Sequence, residues 1–453
     1  MSEAATGAVA RNLPLRKLPG LVRHPLEALV EAGNAANGDI VRLGVGPVGP
    51  YLVTSPDHLE TVLHNPETYV REGLLWTGVR RAVGEAILVT EGAVWKSSRD
   101  VLRPLFTSAR VNAMTDRMAE AIRDAVDGLA EPAREGRTVD AGTELARIVC
   151  QATTRVLFGD KITVSDAVRM VDAFGVIATE MIPRIVVPWA PGWLPLPGDR
   201  AFAAAVATLD EIVLPLIREA RRHPDGGDDI ISALCAPREI DGAAVTEKQI
   251  RDDLVAMVST STETTIAVLS WLWPVLAAHQ EVAEKLYAEI DRVVGGAEVR
   301  RSHLPELRYT RMVLDELLRL WPAGWFIPRM AVRDEVLGGT RIAAGSTILV
   351  SPYVTQRMRA FWSDPDDFDP ERFDPDGPKP EPHYSYLPFG GGPHRCLGQY
   401  LFAVEAPLII ATILSRFRPH LVGPVDFTPR MGASLRPATE AKLVLRPVRA
   451  VVP

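Results

Sequence analysis

The sequence predicts a mainly α-helical fold with small β-sheets, an α+β chain forming a single domain over residues 1–453. Three observations predict it. Apolar residues recur at three- and four-residue spacing through most of 57–320. Segments of strand character are confined to 39–56, 335–353 and the C-terminal tail. No low-complexity linker separates two self-sufficient cores, so the length, which alone suggests two or three domains, does not decide.

In chain order, residues 1–20 have no regular period and no apolar core of the signal-peptide type, and are read as a partly loose extension. The stretch "GDIVRLGVGPVGPYLVTSP" (39–56) reads as two short strands about a Gly/Pro turn. Amphipathic helices follow, among them "AVWKSSRDVLRPLF", "NAMTDRMAEAIRDAVDGL", "TELARIVCQATTRVLF" and "DRAFAAAVATLDEIVLPLIREARR". The longest, 247–279, is apolar on several faces and should be largely buried, with Pro274 able to kink it. Strands return at 335–353, an irregular Pro/Asp-rich loop spans 363–386, and a helix follows Cys396 before an alternating tail. With strands at both ends and in the middle, the chain ends are expected to meet in one small sheet.

Composition excludes several functions. A net charge of −7, with no basic arm and no zinc-finger spacing, argues against nucleic acid as a partner. No window of about 18 uninterrupted apolar residues predicts a transmembrane segment. A cytoplasmic location and a monomer are expected. Cys150, Cys235 and Cys396 are too few and too scattered for a disulfide framework. The first two lie in helical apolar contexts and read as small core residues.

Cys396 differs. In "FGGGPHRCLGQ" (389–399) it follows three glycines and precedes a helix, whose N-terminal N–H groups and dipole favour a thiolate. Gly390, Gly391 and Gly392 let the backbone turn tightly and approach a flat object. A closed zinc site needs four ligands, which the neighbourhood lacks. A single axial thiolate suits haem iron. A tight turn with an incidental thiol, or a nucleophile needing a base such as His394, are the alternatives at this point.

The loop carries a family pattern, Phe-x-x-Gly-x-x-x-Cys-x-Gly, with Phe389, Gly392, Cys396 and Gly398 in its four places. On these residues the chain resembles the cytochrome P450 superfamily, haem-thiolate monooxygenases of the bacterial soluble type. The resemblance implies haem b held between the long central helix and the helix after the cysteine, with Cys396 as metal ligand. It implies that Trp95, Arg99, Arg329 and His394 reach the haem propionates. It also implies a structural triad in which Glu316 and Arg319 of "ELLR" engage Arg372 of "PERF". In "STSTETT" (259–265), Glu263 and Thr264 fall at the family's acid–alcohol pair, implying a proton relay and a hydroxyl that steadies oxygen. Thr260 and Ser261 stand where small residues are usual, Phe402 where Ala is frequent, and Pro407 lies inside a helix.

The resemblance further implies a substrate cavity lined by Trp76, Ile87, Leu88, Ile182, Met257, Thr260, Ser261, Phe326, Ile327 and Ser434. The apolar, proline-rich 182–197 stretch favours a lipophilic substrate, with a terpene or polyketide as the expectation. No dinucleotide fingerprint marks a fused reductase, so electrons from a separate ferredoxin and its reductase are expected, docking near Lys96, Arg103 and Arg395. The expected reaction uses O2 to hydroxylate or epoxidise. A peroxygenase or coupling enzyme, and a non-catalytic haem binder or sensor, are the alternatives.

Overall fold

A computed structural model describes residues 10–14, 18–44, 49–180, 193–223, 227 and 229–448. They form two compact units. One is drawn from the chain up to Thr77 and from Asp315–Cys396, the other from Gly78–Leu314 and from Leu397 onward.

The first unit is built on a six-stranded sheet. Its order is Arg11–Asn12, Val41–Arg42, Tyr51–Val53, Thr347–Val350, Ile327–Ala331 and Tyr69–Val70. Strand alternation sorts its side chains onto two faces. Tyr51, Val53, Ile348 and Val350 join Leu59, Val62, Leu63 and Tyr384 on one side, while Val41 and Leu52 join Leu13, Leu29 and Ala32 on the other. The helix Pro56–His64 supplies Leu59, Val62 and Leu63 to the first cluster and lies beside the cysteine loop.

The second unit is helical. Helices Ser108–Asp127, Ala141–Leu157, Val164–Glu180 and Asp199–Arg222 pack with the central helix Glu247–Ser270 and with Gln399–Leu414. A capping box starts the central helix: Thr246 Oγ1 accepts from Gln249 N, and Gln249 Oε1 accepts from Thr246 N. Burial of every residue from Ile250 to Ser259 covers the whole circumference of its first half.

Three expectations are corrected. Within the N-terminal extension a short strand forms that sequence reasoning missed: Arg11–Asn12 pairs parallel with Val41–Arg42, and Leu13 is buried. Among the described residues the two ends of the chain lie in different sheets. Lys442–Pro447 pairs with Phe417–Val422 on one edge and with Thr138–Asp140 on the other, because Leu443 and Leu445 cover Leu129 and the helical residues Leu145, Ile148 and Ile413. The 247–279 helix is two helices, Glu247–Ser270 and Leu272–Ala278, since Pro274 has no N–H for the Ser270 carbonyl. Among the described residues one stretch, Gly392–Leu414, is long and apolar enough to cross a membrane, but 67% of that window is buried inside the protein, as in a core helix.

Candidate active site

In the first unit, the cysteine loop is closed by its own backbone, with Cys396 N donating to Phe389 O at 3.0 Å. Gly392 has φ +64°, and a Cβ there would lie 2.1 Å from Leu63 O. A Cβ on Gly391 would lie 2.6 Å from the Tyr384 ring, whose hydroxyl bonds His64 Nε2 at 2.7 Å. These glycines thus let the loop press onto the helix Pro56–His64, and Cys396 is left exposed. Cys150, by contrast, is buried and its thiol is pushed up to about 12 by desolvation. Burial raises the Cys235 thiol too. Neither is a ready thiolate near neutral pH.

The loop before the cysteine is anchored by buried charge. Glu316 and Arg319, both fully buried, make a two-pronged pair: Nε to Oε2 at 2.6 Å and Nη2 to Oε1 at 2.8 Å. Asp369 N donates to Glu316 Oε1 at 2.9 Å, and Arg372 Nε lies 3.5 Å from the same oxygen. Arg319 also donates to the carbonyls of Gln356, Pro365 and Asp367, holding the irregular 363–386 stretch from inside. Desolvation pushes the Glu316 carboxyl up, against the guanidiniums that pull it down. Gln356, which sequence reasoning missed, adds a strut. It donates to the carbonyls of Leu318 and Arg319 and accepts from Leu387 N, two residues before Phe389. Arg329 is buried on the strand Ile327–Ala331, its Nη1 bonded to Pro328 O, and His394 ends a 3-10 turn within the loop. Trp76 is buried with its indole N–H on Pro328 O at 3.0 Å, while Phe326 and Ile327 are half-buried.

In the second unit, Glu263 and Thr264 sit on the central helix. Glu263 is half-buried and ion-paired to Arg436, whose Nε donates to Oε1 at 3.1 Å and whose Nη2 meets Oε2. Arg436 opens the return strand of the short hairpin Pro429–Arg430/Arg436–Pro437. All six hydroxyls of "STSTETT" bond back to the carbonyl four residues earlier. Thr264 Oγ1 donates to Thr260 O at 2.8 Å, which leaves its oxygen lone pairs facing outward as an acceptor. Thr260 and Ser261 spend their donors on Ala256 and Met257 in the same way, so they add no free donor. Trp95 and Arg99 share a face of the helix Gly92–Leu102, the guanidinium 5.6 Å from the indole. Ile87, Met257 and Ser434 are buried and Leu88 half-buried in this unit, while Ile182 lies outside the described residues.

Glu405, also missed from sequence, is fully buried on Gln399–Leu414. It accepts from Thr153 Oγ1 at 3.1 Å and Thr265 Oγ1 at 3.2 Å. Burial outweighs these bonds and raises its carboxyl to about 8. Only the acidic residue type spoke for it in the sequence, because both partners lie more than 130 positions away.

The donor set fits a haem. Among the described residues no three His, Cys, Asp or Glu side chains gather to hold a bare metal ion. One exposed thiol stands instead on a glycine cradle that a Cβ would fill. Cationic and N–H groups suited to propionates occur in both units, Arg329 and His394 in one, Trp95 and Arg99 in the other.

Comparison with known proteins agrees. The Cytochrome P450 family profile matches residues 17–445. The chain is 33% identical to cyclooctat-9-en-7-ol 5-monooxygenase of Streptomyces melanosporofaciens, covering 91% of this chain and 89% of that one. It is 29% identical to pentalenene oxygenase of Streptomyces avermitilis, over 90% of each. The crystal structure of the cytochrome P450DA heme domain superposes with a TM-score of 0.81 at 22% identity, covering 98% of both chains, a likeness of fold. The chain therefore belongs to the cytochrome P450 family and is an oxidoreductase of its haem-dependent monooxygenase class.

Proposed function

We propose that the protein hydroxylates or epoxidises a terpene-class lipophilic molecule, using haem b ligated by Cys396 and electrons from a separate ferredoxin and its reductase. The observation that carries the reading is the adjacent Glu263 and Thr264 on the central helix, the acid held by Arg436 and the hydroxyl by Thr260 O with its lone pairs left to accept. Two relatives bearing terpene-oxygenase names support the substrate class. Both units take segments from each half of the chain, which supports one haem domain over 1–453. A cytoplasmic monomer is part of the same reading.

When bound, the haem supplies reductive activation of dioxygen, with one oxygen atom going to substrate and the other to water. The chain's residues make this productive. Thr264, its proton engaged by Thr260 O, offers lone pairs that order water beside the reacting centre. Glu263 can hold or release a proton as it leaves or rejoins Arg436. Glu316, Arg319 and Gln356 keep the thiolate loop rigid. Arg99 and Arg329 would supply positive charge to the propionates, and Trp95 and His394 would donate N–H bonds to them. Ile87, Leu88, Met257, Thr260, Ser261 and Ser434 of the second unit, and Trp76, Phe326 and Ile327 of the first, are the residues proposed to contact substrate, with Lys96, Arg103 and Arg395 proposed to meet the electron donor.

The test is a difference-spectrum titration of the haem-loaded protein with cyclic terpene hydrocarbons and alcohols, then turnover with a ferredoxin and its reductase. Oxygenated terpene is the expected product. No spectral response to any terpene, with a response to polyketide or fatty-acid probes, would overturn the substrate class. Peroxide-driven turnover surpassing the ferredoxin-driven rate would favour a peroxygenase.

A further inference from the structure

Two buried carboxylates on the central helix have no part in the chemistry above. Asp252 and Asp253 are each 1% exposed. Burying such groups is costly unless each oxygen finds donors. Asp252 Oδ2 accepts from Glu85 N at 2.8 Å and meets Lys248 Nζ. Its Oδ1 accepts from Arg251 Nη1 at 3.0 Å, and Arg251 Nε reaches Asp210 at 2.6 Å. Asp253 Oδ1 accepts from Ile87 N at 2.7 Å, and its Oδ2 accepts from Ser98 Oγ, with Arg238 Nη2 at 3.8 Å.

Successive carboxylates thus capture alternate N–H groups of one segment, 84–90, which belongs to no helix or strand. A third support comes from Arg80 Nη2, which donates to Val89 O at 2.8 Å. Gly84 has φ +67°, and a Cβ there would fall 2.1 Å from Asp252 Oδ2, so the approach requires glycine. Ala86, Ile87 and Val89 are buried by this arrangement. Val89 N and Thr90 N close a turn on Ala86 O, and the carboxylates hold the N–H groups of Glu85 and Ile87 on either side of Ala86.

We propose that Asp252 and Asp253 are positioning residues that clamp segment 84–90 and so set which apolar molecules the enzyme accepts. This rests on the reading above that Ile87 and Leu88 line the substrate cavity. The two acids differ in what replaces them. An Asn at 253 can accept from Ile87 N and donate to Ser98 Oγ, whose hydroxyl can reverse. An Asn at 252 must point its amino group at Glu85 N–H and Lys248, or at Arg251.

The experiment uses haem-loaded protein with Asp253→Ala, Asp253→Asn and Asp252→Ala. Hydrogen exchange is followed at residues 84–90, together with binding of imidazole and of the bulkier 4-phenylimidazole to the haem iron. Asp253→Ala should speed exchange at 85–88 by about tenfold or more. It should also change the ratio of the two dissociation constants by about tenfold, the scale of one lost buried hydrogen bond. Asp253→Asn should restore both to within about threefold, and Asp252→Ala, which removes the acceptor of Glu85 N–H whichever way a side-chain amide could turn, should resemble Asp253→Ala. Should Asp253→Ala fail to fold, Asp253→Asn and Asp252→Ala still give opposite outcomes. Unchanged exchange in the variants overturns the clamp. Faster exchange with an unchanged ratio overturns its role in selectivity. Failure of the wild-type protein to bind either azole overturns the haem reading instead.

Discussion

Replacing Glu405 with Gln should change how stability depends on pH, and the structure sets the size of the effect. The carboxyl is fully buried, and its two hydroxyl partners do not offset desolvation, so it is raised from an ordinary 4.5 to about 8. The folded protein therefore keeps a proton at pH 7 that the unfolded chain releases above about 4.5. Stability is fully present below the unfolded value and falls as pH rises toward 8, by up to about 1.4 kcal/mol per pH unit. Gln stays neutral, and its carbonyl and amide can serve Thr153 and Thr265 in the same positions. Glu405→Gln should thus gain about 2–3 kcal/mol on wild type between pH 5 and pH 7. The assay is urea unfolding of the haem-loaded protein at pH 5, 6 and 7, followed by tryptophan fluorescence and comparing midpoints. Asp253, raised to about 6, contributes equally to both proteins and cancels in the difference. Parallel pH profiles, or a variant that loses ground as pH rises, would show that Glu405 is ionised in the fold and refute the reasoning.

Glu316→Ala should cost about 3–5 kcal/mol, because Arg319 would be left charged and fully buried; thermal unfolding and haem content measure it. Gly392→Ala should lower haem incorporation, since the positive φ alone costs roughly 1–2 kcal/mol and the new Cβ strikes Leu63 O. Cys396→Ser should abolish the thiolate band of the reduced carbonyl complex, whereas Cys150→Ser and Cys235→Ser should keep it. Thr264→Ala should retain substrate binding but lower product formed by about a hundredfold or more, with reducing equivalents lost to hydrogen peroxide, read as peroxide formed per reductant consumed.

The parts of the site that could be read from sequence are those whose chemistry is local. The cysteine loop, the adjacent Glu263 and Thr264, and the three-residue spacing of Glu316 and Arg319 each sit within one short window. The struts were hidden, since their partners are distant and of common types. Gln356 meets Leu318 and Leu387, Glu263 meets Arg436, and Asp253 meets Ile87. The long helices announced themselves by period, but strands of two residues, such as Arg11–Asn12 and Tyr69–Val70, are too short to show any alternation. Joining both chain ends in one sheet failed because pairing partners follow burial: the tail strands serve the helical unit, and Thr138–Asp140 is too brief to be noticed.

The pairing of Tyr51–Val53 with Thr347–Val350 has a consequence during synthesis. At the usual pace of translation, roughly 300 residues take about 15–60 s to emerge. Over that interval the early strands wait on the ribosome with open edges and bare apolar flanks. Nascent chains stalled before position 347 should accordingly hold holdase chaperones near their start, and release them once the late strand arrives to complete the sheet.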